Sequence, residues 1–258
     1  MGDGFGEVLR EWRTRRRMSQ LDLALEAEVS ARHLSFLETG RSRPSRGMVL
    51  RLCEVLAVPR AERNRLLSEA GFAPLYMTRP ENAPDLAPLD AAIDRMLETH
   101  DPFPGLAIAH DWTIRKLNRA AAALFGAAGI GIGDTLVGET LYNPALKAAL
   151  LNHDEVIRHT LTRLRAEVAH FGTDPVRQGW IDRILQDHPA AAEPSVGPQP
   201  AVISIRYVTP LGRLSLFSTI AQFGSVEDIS YADIQIELMH PADPASREIL
   251  EQLFQAAS

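Results

Sequence analysis

Cysteine is almost absent: Cys53 is the only one in 258 residues, so no disulfide can form within the chain. A lone thiol suits a reducing compartment better than a secreted, disulfide-stapled scaffold. Long apolar runs are missing too, and no stretch approaches the ~18 residues of a membrane-crossing helix. The opening residues, MGDGFGEVLREW, carry acids and no apolar core, so no secretory leader is expected. These absences lead to the expectation of a soluble, cytoplasmic protein. No internal repeat and no low-complexity tract interrupts the chain.

Catalytic signals are lacking as well. The glycines of GAAGIGIGD follow a helical run rather than a strand, miss the G-x-G-x-x-G spacing and have no Lys-Ser/Thr behind them, so they read as a turn. His153 and His159 are six positions apart and do not share a helix face as metal ligands at i and i+4 do, while His170 is isolated. There is no G-x-S-x-G elbow, and Cys53 sits among apolar helix positions, where it makes a poor nucleophile. Asp182 and Asp187 read as solvated helix faces. No enzymatic activity, cofactor or metal is expected.

Charge is present, but unevenly. The formal net charge is -6 for the whole chain. Residues 1–80 hold 14 Arg, no Lys and 10 acids, a local +4, whereas residues 81–258 carry 13 basic and 23 acidic side chains, a local -10. An anionic partner is therefore expected for the first part only.

Residues 5–70 read as five short helices. Phe5, Val8, Leu9 and Trp12 fall at helical spacing. SQLDLALEAE starts on Ser19 as N-cap, with Leu21, Ala24 and Leu25 as its apolar stripe, and SARHLSFLE repeats the device with Ser30 as cap and Leu34 and Leu37 inward. SRGMVLRLCEVLAV and PRAERNRLLSEAG follow, the second opening at Pro59 and stopping at Gly71. The short connection around EAEVS makes the second and third segments a helix-turn-helix whose second helix would be the recognition helix. Ser19, Gln20, Ser30, Ala31 and Arg32 then stand at two helix N-termini, where backbone N–H groups can hold phosphates. Arg32, His33 and Ser35 avoid the apolar stripe and can face a major groove, where an arginine can donate two hydrogen bonds to guanine. Arg41, Arg43 and Arg46 would touch the DNA backbone and carry no sequence information. A plain helical bundle with a solvated arginine face would require both the motif order and the local charge to be coincidences.

These residues resemble the Xre/Cro/repressor-type helix-turn-helix, a likeness covering about 60 residues. The pattern of that family is met by Ser19, Gln20, Leu23-Ala24, Val29-Ser30, Glu38, Gly40 and Pro44. One position departs: Glu28 stands in the turn where the family usually has glycine. Glu38 and Gly40 are expected to serve structure, as an interior hydrogen-bonding group and a C′ cap.

Prolines 74, 80, 84 and 88 mark a linker, giving domains at 1–73 and 89–258 with a Pro-rich 74–88 between them. Beyond it, LDAAIDRMLETH, RAAAALFG, 144–170, 175–187 and PASREILEQLFQ read as helices. PGLAIAHDWTIRKLN reads as two strands about His110–Asp111, HPAAAEPSVGPQP as a loop, and AVISIRYVT, RLSLFSTIAQF and DIQIELMHP as strands. Strands at both ends of a helical middle predict an α+β domain with one antiparallel sheet. HDPFPGLAIAHDWTIRKLNRAAAALFG and GRLSLFSTIAQFGSVEDISYADIQIELMHPAD resemble the ligand-binding domain of MmyB-like transcription regulators. The resemblance implies a PAS-like fold, an antiparallel sheet with helices over one face, and a cavity between them for a small, apolar or fatty-acid-like effector. From the residues themselves, Phe103, Leu117, Phe125, Trp180, Phe217, Phe223 and Met239 could line such a pocket or could be ordinary core. Arg206, between Ile205 and Tyr207, could anchor a carboxylate or point to solvent.

The expectation is thus a regulator, leaning to repression by the resemblance, that binds double-stranded operator DNA as a homodimer and senses a small molecule. The alternative is a DNA-binding protein whose C-terminal domain only dimerises or holds a partner protein.

Overall fold

In the computed structural model, the described residues are 3–80, 83–172, 174–193, 201–223 and 228–256. They form two compact units, one built mainly on the chain up to Thr78 and the other mainly on the chain from Arg79 onward. Among the described residues no helix is long and apolar enough to cross a membrane.

The first unit is the expected set of five helices: α1 (Asp3–Arg15), α2 (Gln20–Glu26), α3 (Ala31–Glu38), α4 (Arg46–Val55) and α5 (Arg60–Glu69). Three of them start on a serine whose hydroxyl accepts a backbone N–H of the first turn: Ser19 from Asp22, Ser30 from His33 and Ser45 from Met48. At α2 the Asp22 carboxylate accepts the Ser19 N–H in return, a reciprocal cap. Helix α3 ends at Thr39, and Gly40 follows at φ 71, where the missing Cβ removes the steric cost of the left-handed turn. The Arg41 N–H then closes back on the Phe36 carbonyl at 2.8 Å.

Phe5, Leu9, Trp12, Leu23, Leu34, Leu37, Leu52 and Leu67 make the core of this unit. Gly6 brings α1 and α3 together, since a Cβ there would lie 2.6 Å from the Glu38 carbonyl oxygen. The stripe of α2 differs from expectation. Leu23 and Ala24 are buried, whereas Leu21 and Leu25 are 58% and 69% exposed. At about 100° per residue, a helix this short can turn only one face inward, and the Leu23–Ala24–Ala27 face lies opposite Leu21 and Leu25. After α5 the chain stays tied to it: the Asn64 side chain accepts from the Leu75 and Tyr76 N–H groups and donates to the Tyr76 carbonyl.

Cys53 is fully buried in α4, and burial pushes its thiol up to about 12. The native protein is therefore expected to be inert to a disulfide reagent near neutral pH and to react with one equivalent in denaturant. Rapid native labelling would show that this core opens readily.

In the second unit a single-turn helix, Pro84–Leu86, leads into α6 (Ala87–His100). Then come β1 (Gly105–Ile108), β2 (Ile114–Leu117), α7 (Arg119–Gly126), α8 (Leu136–Tyr142), α9 (Pro144–Ala149), α10 (His153–Phe171) and α11 (Pro175–Asp187). The chain finishes with β3 (Ile205–Thr209), β4 (Gly212–Ala221), α12 (Ile229–Ala232), β5 (Gln235–Pro241) and α13 (Pro244–Ala256). The strands form one sheet in the order β2-β1-β5-β4-β3, and every neighbouring pair is antiparallel. The α+β reading and the single antiparallel sheet hold.

Several details differ. Helix was expected from 144 to 170, but Leu150–Asn152 leave it to cover the edge strand β3. The Leu151 N–H donates to the Arg206 carbonyl, the Arg206 N–H donates to the Asn152 side chain, and that side chain donates to the Ser204 carbonyl. An exposed strand edge is thereby blocked. Helix α8 was not anticipated, and β3 begins at Ile205 rather than Ala201. Helices also lie on both faces of the sheet rather than one. On β1, Leu106 and Ile108 look one way and Ala107 the other, yet all three are buried, and Ala107 packs with Ile93 and Leu97 of α6 and with Ile236. Much of the Pro-rich stretch read as a loop (194–200), residues 81–82 of the expected linker and Gly224 after the β4 run lie outside the described residues.

Candidate functional site

Two surfaces carry side chains or backbone groups left over from the folds just described. In the first unit they lie around α3. Ala31, Arg32, Arg41, Arg43 and Arg46 are exposed, with His33 and Ser35 half-buried beside them. The Ala31 and Arg32 N–H groups have no hydrogen-bond partner among the described residues, and the same holds for the side chains of Arg41, Arg43 and Arg46. The Arg32 guanidinium rests over the Phe36 ring at 5.3 Å, which pre-positions it without neutralising it. The Ser19 and Ser30 hydroxyls are committed to their own helices, and Gln20 faces inward, donating to Glu38 at 2.8 Å.

Glu38 is what holds α3 in place. Its carboxylate receives Arg13 Nε at 2.6 Å and Arg13 Nη2 at 3.0 Å as well as Gln20, and the carboxylate raises the Arg13 pKa above its ordinary value. Helices α1, α2 and α3 are thus tied at one buried point. Glu28, in place of the family's glycine, takes φ 53, and its carboxylate lies 3.6 Å from Arg51. That exposed pair offsets little of the left-handed strain.

In the second unit one face of the sheet and helices α8 and α10 enclose a cavity of about 520 Å³. Its walls are mostly apolar, with Phe125, Leu136, Val137 and Val156 on the helical side and Ile203, Ile205, Leu216 and Met239 on the sheet side. Its polar end is built around Arg163 of α10. The guanidinium donates to Glu237 at 2.8 Å and Gln235 at 2.6 Å, and lies 4.1 Å over the Trp112 ring. Trp112 is in the left-handed region at φ 67, in the turn between β1 and β2, where the Asp111 carboxylate accepts the Thr113 N–H. Tyr207, Thr160, Thr140, Ser218 and His159 complete the polar lining. Burial raises the Tyr207 pKa, reinforced by the nearby Glu237 carboxylate. Burial of the His159 ring, together with the Arg163 charge, lowers the histidine pKa.

A volume of this size and a mostly apolar lining suit a small ligand. The profile of the MmyB-like transcription regulator ligand binding domain matches residues 89–253, well over half of the chain. The chain belongs to the MmyB-like transcription regulators. A helix-turn-helix domain profile matches residues 5–66. No curated protein matches the chain. This MmyB-like regulator therefore combines a DNA-binding head with a ligand-sensing domain, and neither matched family is enzymatic.

Of the eight residues singled out for the regulator's ligand site, Phe125, Phe217 and Met239 line the cavity. Phe217 does so from the strand only, because its ring stacks on His240 across the pair Phe217–His240, on the opposite face of the sheet. Phe103 packs edge-on against His100 under Arg247, Leu117 sits half-buried on β2, Trp180 stacks on Tyr142, and Phe223 joins the α6 side of the sheet. Arg206 is no carboxylate anchor inside the cavity: alternation along β3 turns it away from Ile205 and Tyr207, and it pairs with Glu155 at 2.9 Å. The residues that sequence reading missed are Arg163, Glu237 and Trp112. A charged residue within an amphipathic helix reads as solvated, and nothing local reveals a partner on the last strand.

Proposed function

We propose that this MmyB-like regulator is a cytoplasmic repressor that reads palindromic operator DNA as a homodimer, without membrane association. Half-sites would lie about one helical turn, ~34 Å, apart. Residues 1–73 form the head, 74–88 the linker and 89–258 the sensor. In the head, Arg32, His33 and Ser35 face the bases. The N-termini marked by Ser19, Gln20, Ser30 and Ala31 approach phosphates, and Arg41, Arg43 and Arg46 follow the backbone. The supporting observation is the exposed start of α3 next to three arginines without partners among the described residues. The effector is a small apolar molecule, fatty-acid-like in its body, taken into the α10 cavity. It acts through different affinities for the DNA-competent and incompetent arrangements.

Fluorescence anisotropy on the chain's own upstream DNA against scrambled DNA, across a salt series, tests the head. Arg32→Ala is expected to lose roughly 1–3 kcal/mol of discrimination at one or two base positions. Arg43→Ala should weaken all sequences alike and flatten the salt dependence by about one unit. Unchanged operator preference in Arg32→Ala would take α3 out of the groove. The reading of the C-terminal domain as a pure dimerisation module is disfavoured by the cavity. Native mass spectrometry of full-length protein, purified repeatedly and always empty, would restore it.

A further inference from the structure

We propose that the cavity selects an uncharged effector, an apolar molecule ending in a neutral hydrogen-bonding group such as an alcohol, ketone or lactone, and discriminates against the corresponding carboxylate. The proposal rests on the reading of the α10 cavity as the effector site and narrows it.

Among the described residues lining the cavity, Glu237 and Arg163 are each the other's partner at 2.8 Å, and the remaining basic one, His159, is disfavoured as a cation by its burial and by the Arg163 charge. Glu237 is 5% exposed, and the Arg163 side chain is 15% exposed, so the pair is shielded from water. A second Arg163 nitrogen is held by Gln235, and the guanidinium face is covered by Trp112. The cationic site that an acid would need is therefore neutralised in advance. A carboxylate brought alongside would give two anions to one cation in a setting where desolvation is costly. It would have to displace Glu237 and strand that charge. Arg206, the other basic residue near this part of β3, faces away and is paired with Glu155.

What the cavity does offer is neutral. Tyr207 and Thr160 line it, and neither side-chain hydroxyl has a partner among the described residues. Each can donate to a carbonyl or accept from a hydroxyl. A neutral polar end needs one or two such bonds to recover its desolvation cost, whereas an anion needs a counter-charge. The fixed ion pair then acts as a filter on the charge of the ligand while the apolar walls take its body.

The test is calorimetric titration of the full-length protein with octanol and with octanoate, near neutral pH. Octanol is expected to bind at least about tenfold more tightly, an energy difference of about 1.4 kcal/mol. In Glu237→Gln the amide keeps the shape and leaves Arg163 uncompensated, so octanoate should gain about tenfold or more and the preference should invert. Wild-type protein that binds octanoate as tightly as octanol would overturn the charge filter while leaving the cavity as the effector site. Failure of both molecules to bind would overturn the effector-site reading and the filter together. The wild-type comparison stands without any variant, so a poorly folded Glu237→Gln would not rescue the proposal.

Discussion

Asn118→Ala is expected to remove about 4 kcal/mol of stability from the sensor domain. The residue is the N-cap of α7 and is 5% exposed, yet its side chain serves four backbone groups. Its oxygen accepts the N–H of Gly105 at 2.9 Å and of Ala121 at 2.9 Å. Its nitrogen donates to the carbonyls of Leu97 at 3.1 Å and Phe103 at 2.8 Å. Truncation thus strands the end of α6, the approach to β1, the first residue of β1 and the first turn of α7 at once. Each buried orphan costs about 1–3 kcal/mol, and local relaxation keeps the sum below full additivity. Urea unfolding of the full chain followed by near-UV circular dichroism measures it. A loss below about 1 kcal/mol would mean that water replaces the amide.

The counterpart in the head is Glu38→Ala, for which a loss of about 3–5 kcal/mol is expected, because Arg13 is left charged and half-buried without its partner. Arg13 keeps a bond from Nη1 to the Met18 carbonyl, but both hydrogen bonds to the carboxylate go, and Gln20 loses its acceptor. The double change Arg13→Met with Glu38→Leu should cost far less than the single one, since it removes the charge together with its partner. Thermal unfolding of the two variants side by side separates these outcomes. Equal losses would show that the carboxylate acts through packing rather than through charge. Operator binding should fall with stability in Glu38→Ala even though Glu38 itself faces the interior.

Much of the head was legible because its determinants are local. Ser19 and Ser30 cap the helices that follow them, and Gly40 ends α3, all within a turn of where the effect is felt. The error at Leu21 and Leu25 has the same origin. In a seven-residue helix two leucines four apart make a stripe as convincing as Leu23, Ala24 and Ala27, and only the partner helices decide which face turns inward. In the sensor, the β-branched and alternating runs marked the strands and the alanine-rich RAAAALFG marked α7, while its Asn118 cap went unread. The cavity was legible only in part, because its polar end is a meeting of distant residues. Arg163 lies in mid-helix and Glu237 on the last strand, and no periodicity links them. The left-handed Trp112 carries no signal in its residue type, and the break at Leu150–Asn152 follows from an edge strand that is formed much later in the chain.

The order of the sheet has a further consequence for how the molecule is made. Strand β1 lies near the start of the sensor domain but finds its inner neighbour, β5, only near that domain's end, and β4 is joined to the rest through the same strand. The buried core of the five head helices, by contrast, is drawn entirely from residues between Phe5 and Leu67. Such long-range pairing is slow, and domains fold as units in the order in which they leave the ribosome. During translation there is consequently an interval in which the nascent chain carries a complete five-helix core in its head and a sensor that cannot yet close. Synthesis interrupted in that interval would release a head that no effector can control.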